Sequence, residues 1–294
     1  GHYNLANVLA DTGRIDEAAT HYRRALELEP EKDVAWENLG RMLVAEGRSQ
    51  QAAEVWRAWH ERQPHHPIPR HMLAALTGEG TPARCDDDYV RASFDAGFAE
   101  SFDLQLGRLG YRPPELLGEA LHELCGARTD LVILDGGCGT GLCGTLLRAA
   151  ARRLVGVDLS PDMLARARAR GVYDETVAEE LTRYLESHPR AFDGIALADT
   201  LCYFGDLEAV LGAALHSLRP GGWLLFTVEA RDAPRADPPW TLGAHGRYAH
   251  HEDYVRDVLH TGGFSAPRVT RAVLRQERGR GVEGLVVRAF RGSS

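Results

Sequence analysis

Apolar positions along the chain follow two different periods, and the change between them divides it. Up to Pro64 they keep a helical spacing that repeats about every 34 residues. Leu5 aligns with Leu39, Ala6 with Gly40, Leu9 with Leu43, Ala18 with Ala52, Tyr22 with Trp56 and Pro30 with Pro64, and Gly13-Arg14 aligns with Gly47-Arg48. From residue 131 onward the pattern becomes short apolar runs: 131–134 (Leu-Val-Ile-Leu), 154–157 (Leu-Val-Gly-Val) and 192–198. Runs of this length suit buried parallel strands and are too short for helices. Each is followed by an acid at its end, Asp135, Asp158 and Asp199, and helix-compatible stretches lie between them, the first over 142–152. The chain therefore reads as a helical array followed by alternating strands and helices.

The repeat resembles the tetratricopeptide family. Trp36, Leu39, Gly40, Ala52, Trp56 and Pro64 fit its consensus nearly position by position. Small residues let paired helices approach, aromatics fill the space between them, and proline stops the second helix. Two repeats are assigned to residues 1–80, with a capping helix over 69–76. Stacking usually needs about three units, so further repeats are expected upstream, and Gly1-His2 is read as a tag remnant. The array implies a groove for a peptide or protein partner; the alternative is a structural role, packing the next domain or making a homodimer. His60, His65, His66 and His71 lack a carboxylate or thiol at ligand spacing, so no metal site is expected.

Residues 77–88 are rich in Gly, Pro, Thr and Asp, and 81–88 is read as the interdomain linker. Residues 89–294 then form the second domain. Phe94, Phe98 and Phe102 recur every four residues, which lays them on one helical face. With Tyr89 they are expected to form a lid, part of a helical segment spanning 89–125 whose last helix (115–125) packs on the sheet.

Asp135-Gly136-Gly137-Cys138-Gly139-Thr140-Gly141 joins the first strand to the next helix. Glycines there let backbone N–H groups approach a ligand. The loop resembles that of the class I S-adenosylmethionine methyltransferases, acidic-x-Gly-x-Gly-x-Gly. A match to the dinucleotide pattern G-x-G-x-x-G starts at Gly139, but there the first glycine comes as the strand ends, and Asp135 would face a pyrophosphate. S-adenosylmethionine carries an ammonium instead. The resemblance implies an α/β Rossmann-like, seven-stranded class I methyltransferase domain after the all-α tetratricopeptide domain. It places the cofactor over 136–141, its ammonium on Asp135 and its ribose on Asp158. Leu159 and Met163 are expected to flank the adenine. Glu179 or Glu180 would accept from the adenine amino group, with Glu179 preferred. Asp199, Thr200 and Tyr203 are expected between cofactor and acceptor.

Further on, 218–229 carries a Pro-Gly-Gly turn and a fifth strand, 252–261 a helix, and 268–275 with 282–290 a terminal hairpin. The stretch Gly246-Arg247-Tyr248-Ala249-His250-His251 is rich in groups that bind an acceptor or take its proton. Arg247 is expected to bind acceptor, and Tyr248 and His250 join Tyr203 as catalytic candidates. Over most of its length the chain resembles a bacterial group of methyltransferases carrying tetratricopeptide repeats. It shares with them the Phe-x-x-x-Phe-Asp lid (98–103), the glycine loop, Tyr203-Phe-Gly-Asp-Leu207 and Gly246-Arg-Tyr-Ala-His250. Gly136 departs from that pattern, where an apolar residue is usual, and is expected to loosen the turn without removing a ligand contact.

Composition narrows the function. The 294 residues are 44% hydrophobic and 26% charged, as in ordinary globular chains. No apolar run approaches the roughly 18 residues of a membrane span. A formal net charge of −8 argues against phosphate-driven nucleic-acid binding. The five cysteines form no C-x-x-C pair, so neither a disulfide framework nor a zinc knuckle is expected, and the expected location is cytoplasmic. The expected activity is methyl transfer from S-adenosylmethionine, leaving S-adenosylhomocysteine. The acceptor is a small molecule or a peptide or protein docked by the repeats. The alternative is a repeat scaffold whose second domain binds the cofactor without methylating.

Overall fold

A computed structural model of the chain describes residues 1–232 and 238–293. It divides into two compact units, Gly1–Thr81 with Leu242–Arg247, and Pro82–Thr241 with the chain from Tyr248 onward.

In the first unit α1 (His2–Asp11) pairs with α2 (Ile15–Leu28), α3 (Asp33–Ala45) with α4 (Ser49–Arg62), and α5 (Pro67–Thr77) follows. The size of the aromatic sets how small its partner must be. Trp56 is fully buried, and a Cβ on Gly40 would lie 2.2 Å from its ring. In the first repeat the aligned positions hold the smaller Tyr22 and Ala6, and both are buried. The capping helix is longer than the expected 69–76, because Pro67 sits in its first turn and Gly78 ends it in the left-handed conformation. His71 is buried, with Nε2 3.0 Å from the Gly246 carbonyl.

The second unit opens with α6 (Asp87–Ser93), α7 (Ala96–Arg108) and α8 (Pro113–Cys125). There follow β1 (Leu131–Gly136), α9 (Gly144–Leu147), β2 (Ala151–Asp158), α10 (Pro161–Ala169), β3 (Glu175–Ala178) and α11 (Leu181–Glu186). β4 (Phe192–Leu197), a 3-10 turn (Leu201–Tyr203), α12 (Glu208–Ser217) and β5 (Leu218–Ala230) come next. The chain ends through β6 (Trp240–Leu242), β7 (Tyr248–His250), α13 (Glu252–Thr261), β8 (Phe264–Glu277) and β9 (Arg280–Arg291).

Strands β3-β2-β1-β4-β5 are parallel in that order, β9 runs antiparallel beside β5, and β8 pairs with β9. These are the seven strands of a Rossmann-like methyltransferase sheet. The three-residue β7 and β6 extend it beside the end of β5. Val132 and Leu134 of β1 join the core under α11, α12 and α13, while Leu131 and Ile133 join the core under α8 and α9. Burial on both faces explains why the run is apolar without alternation. Strand order reverses between β1 and β4, which opens a crevice beyond their carboxyl ends.

Three local expectations are corrected. The helix expected over 142–152 is a single turn, α9, and β2 starts at Ala151, which pairs with Leu131; exposed Arg153 pairs with Val132 after a register shift. From Pro82 onward the stretch read as a linker is part of the second unit. The Ala83 carbonyl accepts from the N–H groups of Gly205 and Asp206, both at 2.8 Å, and buried Cys85 donates its N–H to the Tyr203 carbonyl. The aromatic segment is two helices, because the Asp95 carboxylate accepts the Phe98 N–H at 2.8 Å and starts α7 anew. Among the described residues no helix is long and apolar enough to cross a membrane.

Candidate active site

Asp135 is the penultimate residue of β1, with 1% of its surface exposed. Tyr173 donates its hydroxyl to Oδ2 at 2.6 Å, while Oδ1 is buried with no hydrogen-bond partner. Burial, assisted by the nearby Asp158 charge, raises the carboxyl pKa to about 7, against the phenol bond, which lowers it. A buried acceptor without a donor is costly, and an ammonium at this point satisfies both its lone pair and its charge.

The glycine loop is fastened from below and open above. Gly137 and Cys138 donate their N–H groups to the Val157 carbonyl at 2.7 and 3.0 Å. Gly137 has φ +67°, and a Cβ there would lie 2.4 Å from Thr200. At Gly139 the nearest atom to an added Cβ is Phe102 Cε1 at 3.9 Å, so this glycine faces free space. Gly136 does not loosen the turn: a Cβ there would meet Leu197 at 2.6 Å and Leu181 at 2.8 Å, and these side chains fill the place of the usual apolar residue.

Asp158, at the end of β2, accepts the Gly139 N–H on Oδ2 (2.9 Å) and the Ser160 N–H on Oδ1 (2.8 Å). Burial raises its pKa, and main-chain N–H bonds from Ser160, Gly139 and Leu159 pull it back. A carboxylate offers about four lone-pair sites, so capacity remains for ribose hydroxyls. The Glu179 N–H donates to the Asp158 carbonyl at 3.2 Å, which sets Glu179 beside this strand end. Glu180 is taken up in capping α11, accepting the N–H groups of Thr182 and Arg183. Leu159 is half-buried. Met163 is not at the surface of the cleft: it is 1% exposed, on the inward stripe of α10 with Leu164 and Ala167.

Asp199, beyond β4, adopts φ +56° and donates its N–H to Thr227 Oγ1 on β5 at 2.9 Å. Thr200 donates its hydroxyl to the Gly136 carbonyl at 2.8 Å. Half-buried Tyr203 meets Phe94 edge-on, with ring centroids 5.7 Å apart. Phe94, Phe98 and Phe102 do not share one helical face, yet their rings converge at 5.5–6.0 Å. Tyr89 is buried on α6, which makes it core rather than lid surface. The Ser160 hydroxyl donates to the Phe94 carbonyl at 2.7 Å. Thr140 donates to Asp103 Oδ1 at 2.6 Å, and Arg170 binds both the Thr140 carbonyl and Asp103. Thr140 is thus spent on α7. Asp103 was singled out in the sequence only as part of the lid motif, without its tie to Thr140 and Arg170; Arg170, Tyr173 and Thr227 were not found, since each is an ordinary polar residue outside any glycine or strand-end signal.

Two expected acceptor residues are spent on main chain. Tyr248 is fully buried, and its hydroxyl donates to the Pro82 carbonyl at 2.7 Å. His250 is equally buried, with Nε2 at 2.9 and 3.1 Å from the carbonyls of Phe204 and Gly205. Burial lowers its pKa to about 4, so the ring is neutral and Nε2 carries the proton it donates. Both residues fasten main chain and neither faces a cleft. Arg247 falls in Leu242–Arg247, which belongs to the first unit.

Comparison with known proteins agrees with this architecture. Residues 3–67 match the tetratricopeptide-repeat model, and residues 109–265 match a methyltransferase-domain model. Human methyltransferase-like protein 27 is 33% identical over 142 residues, 46% of this chain and 56% of that protein. The ubiquinone biosynthesis O-methyltransferase of Hydrogenovibrio crunogenus is 27% identical over 127 residues, 38% of this chain and 53% of that protein. The chain thus spans about half the length of these curated relatives. Among solved structures, the Burkholderia thailandensis 1,6-didemethyltoxoflavin-N1-methyltransferase, with bound 1,6-didemethyltoxoflavin and S-adenosylhomocysteine, superposes with a TM-score of 0.54 at 21% identity. That match covers 69% of this chain and 87% of the other, and it supports the fold. With just over half of its length in the matching model, the chain belongs to the methyltransferase-domain family, behind a tetratricopeptide-repeat segment.

Proposed function

We propose that the second unit is an S-adenosylmethionine-dependent methyltransferase. The observation that carries this reading is Asp135 Oδ1, a buried, unpartnered carboxylate oxygen at the point where strand order reverses. A phosphate ligand would meet repulsion there; an α-ammonium completes it. Asp158 takes the ribose hydroxyls, Glu179 the adenine amino group, and the open face of Gly139 lies under the sulfonium end.

S-adenosylmethionine supplies an electrophilic methyl on a sulfonium; the acceptor atom forms its bond to that methyl as the C–S pair returns to sulfur, leaving S-adenosylhomocysteine. The protein's contribution is alignment and exclusion of water. Phe94, Phe98, Phe102 and Tyr203 give an apolar wall on the acceptor side. Where the acceptor carries a proton, Asp199 is the carboxylate positioned to receive it, its backbone fixed by Thr227. Tyr248 and His250 have no part in this step. The repeats serve protein interaction, with the acceptor either a small molecule or a peptide or protein held by them.

Titration with S-adenosylhomocysteine tests the reading. Micromolar binding that Asp158→Ala weakens by at least about tenfold, roughly the loss of one charge-assisted bond, supports it. Unchanged affinity in that variant would remove the ribose assignment.

A further inference from the structure

Tyr173 lies between α10 and β3, and its ring fills a slot held open by glycines. A Cβ on Gly141 would come within 2.9 Å of the ring, one on Gly144 within 2.2 Å of the hydroxyl, and one on Gly156 within 3.0 Å of the ring. The loop, the start of α9 and the middle of β2 therefore jointly fix where the ring sits. At the end of that slot the hydroxyl meets Asp135 Oδ2 at 2.6 Å. A phenylalanine would fill the same space. The hydroxyl is needed only for the carboxylate.

We propose that Tyr173 is a positioning residue for the cofactor: its hydroxyl holds the Asp135 carboxylate by one oxygen, so that the other is fixed and ionised for the ammonium of S-adenosylmethionine. The inference rests on the cofactor reading above. It follows from what surrounds Asp135. Asp158 opposes its ionisation, as does burial. Cys138 and Cys143 face it from the loop as neutral thiols, their pKa values raised well above the usual range by burial and by Asp135 itself. The phenol is the facing group that favours the charged carboxylate. Its own pKa is pushed far up by burial and the Asp135 charge, so it remains a donor.

The test is calorimetric titration of the full chain with S-adenosylhomocysteine from pH 6 to pH 9, using wild type, Tyr173→Phe, Asp135→Asn and the double variant. Unfolding midpoints are recorded alongside. Tyr173→Phe is expected to bind about fivefold more weakly at pH 7 and nearly tenfold at pH 6, to shift the pH midpoint of binding upward by about one unit, and to recover most of the difference by pH 9. Asp135→Asn is expected to bind weakly at every pH, with no further loss on adding Tyr173→Phe. A loss equal at all pH values, or one that persists in the Asp135→Asn background, would assign Tyr173 to packing and overturn the proposal. So would unchanged binding by Tyr173→Phe. Wild type that takes up no ligand at any pH would overturn the cofactor reading itself, and this inference with it.

Discussion

Asp103 on α7 accepts the Thr140 hydroxyl from the glycine loop at 2.6 Å, and the same carboxylate binds Arg170 at the end of α10. The aromatic segment is therefore tied to the loop it covers, at a point one residue beyond Phe102. Asp103→Ala cuts the tie. The ion pair with Arg170 is partly exposed and contributes little alone, so the unfolding free energy should fall by only about 1 kcal/mol. Cofactor affinity should fall about five- to tenfold, because the cover must then be ordered on binding. Calorimetry paired with denaturant unfolding separates the two effects.

The raised Asp135 carboxyl makes binding depend on pH. With a pKa of about 7 in the ligand-free protein, the acid form dominates below pH 7 and offers no charge to an ammonium. Binding should weaken by about tenfold per unit below pH 7 and release a proton there. Titrations in two buffers of different ionisation enthalpy read that proton directly.

Stability carries the opposite signature. The folded state holds the Asp135 proton more tightly than the unfolded chain, where an aspartate titrates near 3.9. This group's contribution is therefore undiminished below about pH 4 and is lost progressively as pH rises toward 7. Relative to Asp135→Asn, ligand-free wild type should lose unfolding midpoint across that window. A constant difference between the two proteins would contradict the assignment.

Gly137 combines a left-handed backbone with the Thr200 side chain 2.4 Å from where a Cβ would stand. Gly137→Ala should destabilise the second unit by about 2–4 kcal/mol, strain and overpacking together, and abolish measurable S-adenosylhomocysteine binding. Thermal unfolding and titration of the same sample check both.

Tyr248→Phe tests the reassignment of the polar run near the end of the chain. Loss of its bond to the Pro82 carbonyl should cost about 1 kcal/mol, with methyl transfer kept within about threefold. A hundredfold loss of turnover with unchanged stability would return Tyr248 to the acceptor site.

The parts legible in sequence were those where one residue type answers a backbone need. Gly40 opposite Trp56, the glycines after β1 and the acids at strand ends follow from space and from the direction of parallel strands. His250 was not legible, because an imidazole spent on two carbonyls has the same letter as one that takes a proton. The Phe94–Phe102 spacing predicted one helix, but Asp95, with a short side chain suited to capping, restarts it. Residues 81–88 have a linker's composition, yet their backbone groups bond to the turn after β4. Tyr173 left no periodic or glycine signal, since its role arises from three glycines brought together only by folding.

The most direct test of the account is transfer of label from methyl-labelled S-adenosylmethionine in a cell extract, fractionated by size, with Asp158→Ala in parallel. The account predicts label in an acceptor with wild type and its loss in the variant. Label in macromolecules would assign the repeats to substrate docking, and label in small molecules would place the acceptor against Asp199, Tyr203 and the phenylalanine cluster. Binding of S-adenosylhomocysteine with no label in any fraction would contradict the account and identify a cofactor-binding scaffold.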